Sequence, residues 1–143
     1  MRRQLLAACL LIASATWAGD ATYRFFFDLA PKSLDEMDAI LASLSASLDG
    51  DEPPRSPLVV ILHGSEANAF VRGNYRQNKA RVDLAALLDA HGYIDVRMCA
   101  TWMRLNGIGE QDIPPFIETV PYGPGEVEKL REAGYLPSDR TSF

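Results

Sequence analysis

Thiols are nearly absent from this chain of 143 residues, which holds only Cys9 and Cys99. Histidine is as scarce, with His63 and His91 alone, so no spaced Cys/His ligand motif exists. His63, Glu66 and Cys99 are scattered candidates without the spacing of a metal site, and no metal or other cofactor is expected. Gly64, Gly73, Gly107 and Gly109 form neither a dinucleotide fingerprint nor a P-loop, because the required spacing before a helix is missing. A Gly-x-Ser-x-Gly elbow is also lacking, which leaves an α/β-hydrolase reading without its nucleophile. Basic residues are too few for polyanion partners. The net charge is -5, and discounting Arg2 and Arg3 makes it more negative, a balance that repels nucleic acid and anionic membrane surfaces. Apolar runs long enough to span a bilayer, about 20 residues, do not occur.

What is present begins with a leader. Arg2-Arg3, an apolar run from Leu5 to Ala15, and small residues before Gly19 have the three parts of a secretory signal over residues 1–18. Cleavage after Ala15 or Ala18 leaves residues 19–143 as one domain's worth of chain. Leu6-Ala7-Ala8-Cys9 matches a lipoprotein box only superficially, since almost no apolar segment precedes it. The expected product is exported and periplasmic, without membrane insertion once the leader is gone. Cys9 leaves with the leader, so Cys99 becomes a lone thiol in an oxidising compartment, where cysteines are usually paired or absent.

The rest of the chain alternates strand-like and helix-like segments. Tyr23 to Leu29 is aromatic and β-prone, and Pro31 closes it. Ser33 with Glu36 reads as a capping box opening a helix whose Leu34, Met37, Ile40, Leu41, Leu44 and Leu48 recur at helical spacing until Gly50. Residues 50–57 are a stiff polar surface loop. Leu58-Val59-Val60-Ile61-Leu62 is apolar at every position, as in a strand covered on both faces of a parallel sheet. A helical region then starts near Asn68 and is clearest from Tyr75 to Ala90, with Val82, Leu84, Leu87 and Leu88 inward and Gly92 as its stop. Tyr93 to Met98 is a strand and Ala100 to Leu105 a short helix. Phe116 to Val120 is a fourth strand, and a last helix runs from about Gly125 to Ala133.

This order predicts a three-layer α/β/α fold with a mainly parallel sheet of four to five strands. Such sheets keep ligands outside the carboxyl ends of their strands. His63 follows the second strand and Cys99 the third, so neighbouring strands would place both on one rim. There a helix amino terminus favours the thiolate, His63 can act as base or thiolate partner, and Arg97 and Arg104 can add positive potential. With no second cysteine, an intramolecular disulfide cycle is excluded. The remaining chemistry is a carrier's, in which the sulfur accepts one group as persulfide or mixed disulfide and hands it on.

The segment Cys99-Ala100-Thr101-Trp102-Met103-Arg104-Leu105-Asn106-Gly107-Ile108 resembles the cysteine segment of the DsrE/DsrF-like family, with strand, Cys, small helix and Gly-Ile closure. The resemblance extends to Leu58 through Gly64, the proline-rich turn before Phe116, and the helix from Gly123 to Tyr135, and it is nearest to the exported branch. It implies an α/β/α fold around a five-stranded parallel sheet, homo- or hetero-oligomers and, as in the cytoplasmic members, sulfur relay through a persulfide on the matching cysteine, here Cys99, between donor and acceptor proteins. His63 is not part of that carry-over. One departure stands out, because members of this branch finish with a short apolar strand, whereas here Tyr135-Leu136 runs into Pro137 and a polar tail.

Each candidate also has a plain structural role. A single cysteine is often a small buried hydrophobe, and His63 can simply hold its loop. His91 suits a helix end, and Glu66 and Asn68 suit caps. Trp102 and Met103 suit core. Thr101, Arg104 and Tyr122 stand where they could line the same rim, Tyr122 equally as a turn aromatic. The second functional reading is accordingly a non-enzymatic module that binds a small ligand between His63 and Cys99, or whose oligomer is itself the function.

Overall fold

A computed structural model describes residues 23–30, 32–50 and 54–138. The expected leader, Pro31, the start of the polar loop at 51–53 and the tail at 139–143 lie outside them. Five strands, β1 (Phe25–Asp28), β2 (Leu58–Leu62), β3 (Ile94–Cys99), β4 (Glu118–Val120) and β5 (Leu136–Pro137), form one sheet in the order β4-β3-β2-β1-β5. Every pairing is parallel. The helices are α1 (Leu34–Ser45), α2 (Tyr75–Ala90), α3 (Ala100–Leu105) and α4 (Gly123–Glu132). The expected α/β/α architecture is therefore present.

The handedness of parallel crossovers explains the layering. From β1 to β4 the chain steps steadily across the sheet, so its right-handed crossovers put α1 and α2 on one face. The step from β4 back to β5 runs the other way and lays α4 on the opposite face. Phe27, Leu58, Val60, Leu62, Ile94, Val96 and Met98 accordingly join the large core with Met37, Leu41, Val82 and Leu88. Phe26, Val59 and Ile61 point the other way, onto Val127 and Leu130 of α4. The all-apolar run of β2 is buried at every position, as a strand roofed on both sides requires.

Local signals set several boundaries. Ser33 accepts from the Glu36 amide while the Glu36 carboxylate takes the Ser33 amide, a complete capping box for α1. Arg81 of α2 grips Asp38 of α1 with two bonds of 2.7 and 2.6 Å, tying the two covering helices together. Gly92, at φ 76°, ends α2 in the left-handed region.

Four differences from the sequence reading have physical causes. The stretch before α2 is two 3₁₀ turns, Ser65–Phe70 and Arg72–Asn74, and the α-helix starts only at Tyr75. Leu87 is 46% exposed, because the inward line of α2 runs through Val82, Ala85 and Leu88. α4 begins at Gly123, two residues earlier than expected. An edge strand does form at Leu136–Pro137 beside β1: the amides on either side of Pro137 make the bonds, Leu136 to Arg24 O at 2.8 Å and Ser138 to Phe26 O at 2.7 Å. The missing proline amide costs nothing on an edge.

Candidate functional site

The carboxyl rim is built by the strand register. Leu62 pairs with Met98, so the next residues of β2 and β3, His63 and Cys99, end adjacent strands roughly 4.8 Å apart. Leu62 and Met98 face the large core, and alternation turns the residues after them to the α4 side.

Cys99 is 3% exposed and carries no disulfide. It is the residue before α3, and its Sγ accepts the Trp102 amide at 3.4 Å. A six-residue helix has little macrodipole, so its main gift to the sulfur is this one N–H. Arg97, expected to lend Cys99 positive potential, lies on the same face but is engaged elsewhere. Its Nη2 donates to Asp95 at 2.6 Å and its Nη1 to Glu126 of α4 at 2.6 Å. Hydrogen bonding to Asp95 above all, then to Glu126, pushes the guanidinium still further above its ordinary value against the cost of burial.

His63 has a partner that the sequence reading did not name. Its Nε2 lies 2.8 Å from Asp28 Oδ1, at the end of β1. Opposite an ionised carboxylate, which only accepts, the hydrogen of this bond belongs to Nε2. The amino end of α4 packs directly on this imidazole. A Cβ on Gly123 would stand 2.3 Å from His63 Cβ and 2.8 Å from Cγ, so only glycine fits there.

The other sequence candidates divide between the rim and its supports. Glu66 is 6% exposed, and its Oε1 accepts the His63 amide at 2.9 Å and the Gly64 amide at 2.7 Å. That carboxylate shapes the loop after β2. Asn68 is exposed and spends its side-chain amide on Ser65 O, while its carbonyl receives Asn74. Thr101 Oγ1 donates to Pro121 O at 2.9 Å and receives Arg104 Nη2 at 3.3 Å. Arg104 also lines a recess of about 220 Å³ with Ala100, Met103 and Thr119. Tyr122 is 57% exposed and lies in the chain between Pro121, held by Thr101, and Gly123, pressed on His63. The connection from β4 to α4 thus bridges the two halves of the rim. Trp102 packs on the large core and Met103 is inside it. His91 caps the end of α2.

Asp28 could have been found from its position, as the last residue of an aromatic strand preceding the expected second strand. Its pairing with His63, 35 residues away, depends on which strands are neighbours. Among the described residues no group of three or more His, Cys, Asp or Glu side chains is placed to hold a metal ion. No described helix is long and apolar enough to cross a membrane.

No protein-family model matches the chain, and no curated protein does. Among solved structures it is similar to the protein of unknown function MTH1491 from Methanobacterium thermoautotrophicum, with a TM-score of 0.61 at 15% identity, covering 81% of this chain and 97% of that one. At that identity the likeness concerns the fold, a parallel five-stranded sheet packed between helices.

Proposed function

We propose that the chain is an exported, periplasmic sulfur carrier of the DsrE/DsrF-like kind, acting as an oligomer and using Cys99 as persulfide acceptor. The observation that carries this reading is the position of a lone thiol at the β3–α3 junction with the Trp102 amide directed at its sulfur. An N–H donor favours the sulfur anion. The thiolate attacks the terminal sulfane sulfur of a polysulfide. A new S–S bond forms, the donor's S–S bond breaks, and the shortened polysulfide leaves with the electron pair. An acceptor thiolate then attacks the outer sulfur and restores Cys99, with no net oxidation. His63, held by Asp28 at Nε2 on the neighbouring rim position, is the base that this reading assigns to the thiol proton. Because Cys99 is 3% exposed, the reading requires the rim around it to open when a donor arrives, and the nearby Thr101–Pro121 bond is the contact chosen to loosen it.

Intact-mass measurement tests this on the chain carrying Cys9→Ser, so that Cys99 is its only thiol. Polysulfide treatment is expected to add one reductant-labile sulfur atom, lost with Cys99→Ser and gained faster with Thr101→Val. A Cys99 inert to both polysulfide and alkylating agents in the folded chain, yet reactive once denatured, sinks the carrier reading.

The His63–Asp28 pair beneath the amino end of α4 favours a second reading, a small-ligand site on the same rim. Its mark is thermal stabilisation by a small molecule that survives Cys99→Ser and disappears with His63→Ala.

A further inference from the structure

The crossover from β3 to β4 is unlike the others. α3 lasts six residues, and the chain then returns along the sheet as an irregular segment through Pro114, Pro115 and Phe116. A loop lies beside α2 where a crossover helix would otherwise pack. Between them a cleft of about 570 Å³ opens, lined by Phe70, Tyr75, Val82 and Ala86 on one side and by Pro114, Pro115 and Phe116 on the other. That volume lies within the range of roughly 300–1,000 Å³ typical of small-molecule sites. Tyr75 is steadied at the edge by its hydroxyl, which donates to Asp83 at 2.6 Å.

Arg72 is the one charged residue of the lining. Its Nε donates to Ile113 O at 3.0 Å, which fixes the guanidinium against the loop. Among the described residues no carboxylate pairs with it, as with Arg24, Arg76 and Arg104, whereas Arg81, Arg97 and Arg131 each have an acidic partner. Arg72 is exposed at the mouth of an aromatic cleft in a chain of net charge -5, where its guanidinium can pair with an anion. One cation matches one negative charge, and the remaining lining is apolar.

We propose that this cleft binds a small amphipathic monocarboxylate, its aromatic or alicyclic body between Phe70, Tyr75 and Phe116 and its acid group on Arg72. The site lies apart from the rim that holds Cys99 and His63 and is independent of the sulfur-carrier reading.

Titration calorimetry with 2-naphthylacetate and its neutral twin 2-naphthylacetamide tests it on the full chain. The acid is expected to bind about tenfold more tightly than the amide, the worth of a charge-assisted hydrogen bond. Arg72→Met should erase that difference while leaving the amide's affinity, and Ala86→Phe should weaken both by filling the cleft. His63→Ala and Cys99→Ser should change neither, which separates this site from the rim. Absence of saturable binding at about 1 mM, or an Arg72→Met variant that keeps the acid's advantage, overturns the proposal. So does concentration-dependent self-association abolished by Ala86→Phe, since a second copy would then be the occupant. Should Ala86→Phe fail to fold, amide NMR shifts on naphthylacetate addition decide: shifts at Phe70 to Tyr75 and at Phe116 support the site, and shifts confined elsewhere reject it.

Discussion

The two faces of the sheet are covered very differently. One carries α1, α2 and the 3₁₀ turns over a continuous core that includes Phe27, Leu62, Phe70 and Met98. Among the described residues the other carries α4 alone, over a cluster of Phe26, Val59, Ile61, Val127 and Leu130. Where that small cluster ends, the same face turns polar, with Asp95, Arg97 and Glu126 joined by hydrogen bonds and Asp28 joined to His63. The thick face buries the larger core, and the thin face carries the polar groups. A sheet whose rim residues His63 and Cys99 point toward its lightly built side can move that side without unfolding the other.

The largest test of this contrast deletes equal side chains from each face. Leu62→Ala removes a side chain with no exposed surface from the large core and should cost about 3–5 kcal/mol, seen as a lower urea midpoint for the whole chain. Leu130→Ala on α4 should cost about 2–3 kcal/mol, and its mark in hydrogen exchange should be faster exchange of α4 amides ahead of α1 and α2. Equal global losses with no selective loosening of α4 would break the comparison.

Next comes the contact between α4 and the rim. Gly123→Ala forces a Cβ against the His63 side chain near its backbone, where neither side can give way easily. The expected cost is about 1–3 kcal/mol, with a shift of the His63 ring signals by NMR. Gly125→Ala is the control. Its Cβ would meet only the exposed Tyr122 side chain, at 3.3 Å, and the variant gains about 1 kcal/mol, the difference between glycine and alanine in a helix. A neutral Gly123→Ala beside a harmful Gly125→Ala would reverse the assignment of which glycine holds the face together.

How much of this was readable beforehand follows the same division. Leu58 to Leu62, apolar without interruption, announced a doubly covered strand, and Ser33 with Glu36 announced the start of α1, because both signals are local. His63 and Cys99 were placed at strand ends from chain order alone. What could not be read was anything set by contacts across the sheet. The Asp28–His63 bond depends on β1 and β2 being neighbours, and Arg97, held first by Asp95 on its own strand, is held also by Glu126, a residue of α4 that arrives only through the reversed crossover. The strand at Leu136–Pro137 was hidden by its proline, which is tolerated because β5 is an edge. Leu87 obeyed helical spacing yet faces solvent, since periodicity identifies a stripe of α2 and tertiary packing chooses its centre.

A smaller effect probes the polar half of the thin face. Arg97→Met keeps the stem and removes the cation between Asp95 and Glu126, leaving Asp95 without that donor and Glu126 to the exposed Lys129 at 3.7 Å. The loss at neutral pH should be about 1–2 kcal/mol, less than a fully buried pair would show because all three groups keep some solvent. Urea unfolding of Arg97→Met beside the double variant Arg97→Met/Glu126→Gln measures it. The second change should return part of the loss by removing one stranded charge. A double variant no more stable than the single would mean that Arg97 acts through its packing and not its charge.

The smallest effect sits where the two faces meet at the other end of β3. Asp89, in the last turn of α2 on the thick side, has its carboxyl pushed above the usual range, first by burial and then by the charge of Asp95 on the thin side. The folded chain therefore binds that proton more tightly than the unfolded chain does. Ionised Asp89 destabilises the fold at neutral pH, and the penalty is present above its folded value and fades as pH falls toward the ordinary carboxylate range near 3.8. Asp89 also faces the negative end of α2, which adds to the same sign. Asp89→Asn should raise stability at pH 7 by about 0.3–1 kcal/mol, at the lower end because the group is only partly buried. The gain should vanish near pH 3, and Asp95→Asn should shrink it. A gain that is constant across that pH range would assign the effect to side-chain shape, and one untouched by Asp95→Asn would mean that the two faces are electrically independent at this end of the sheet.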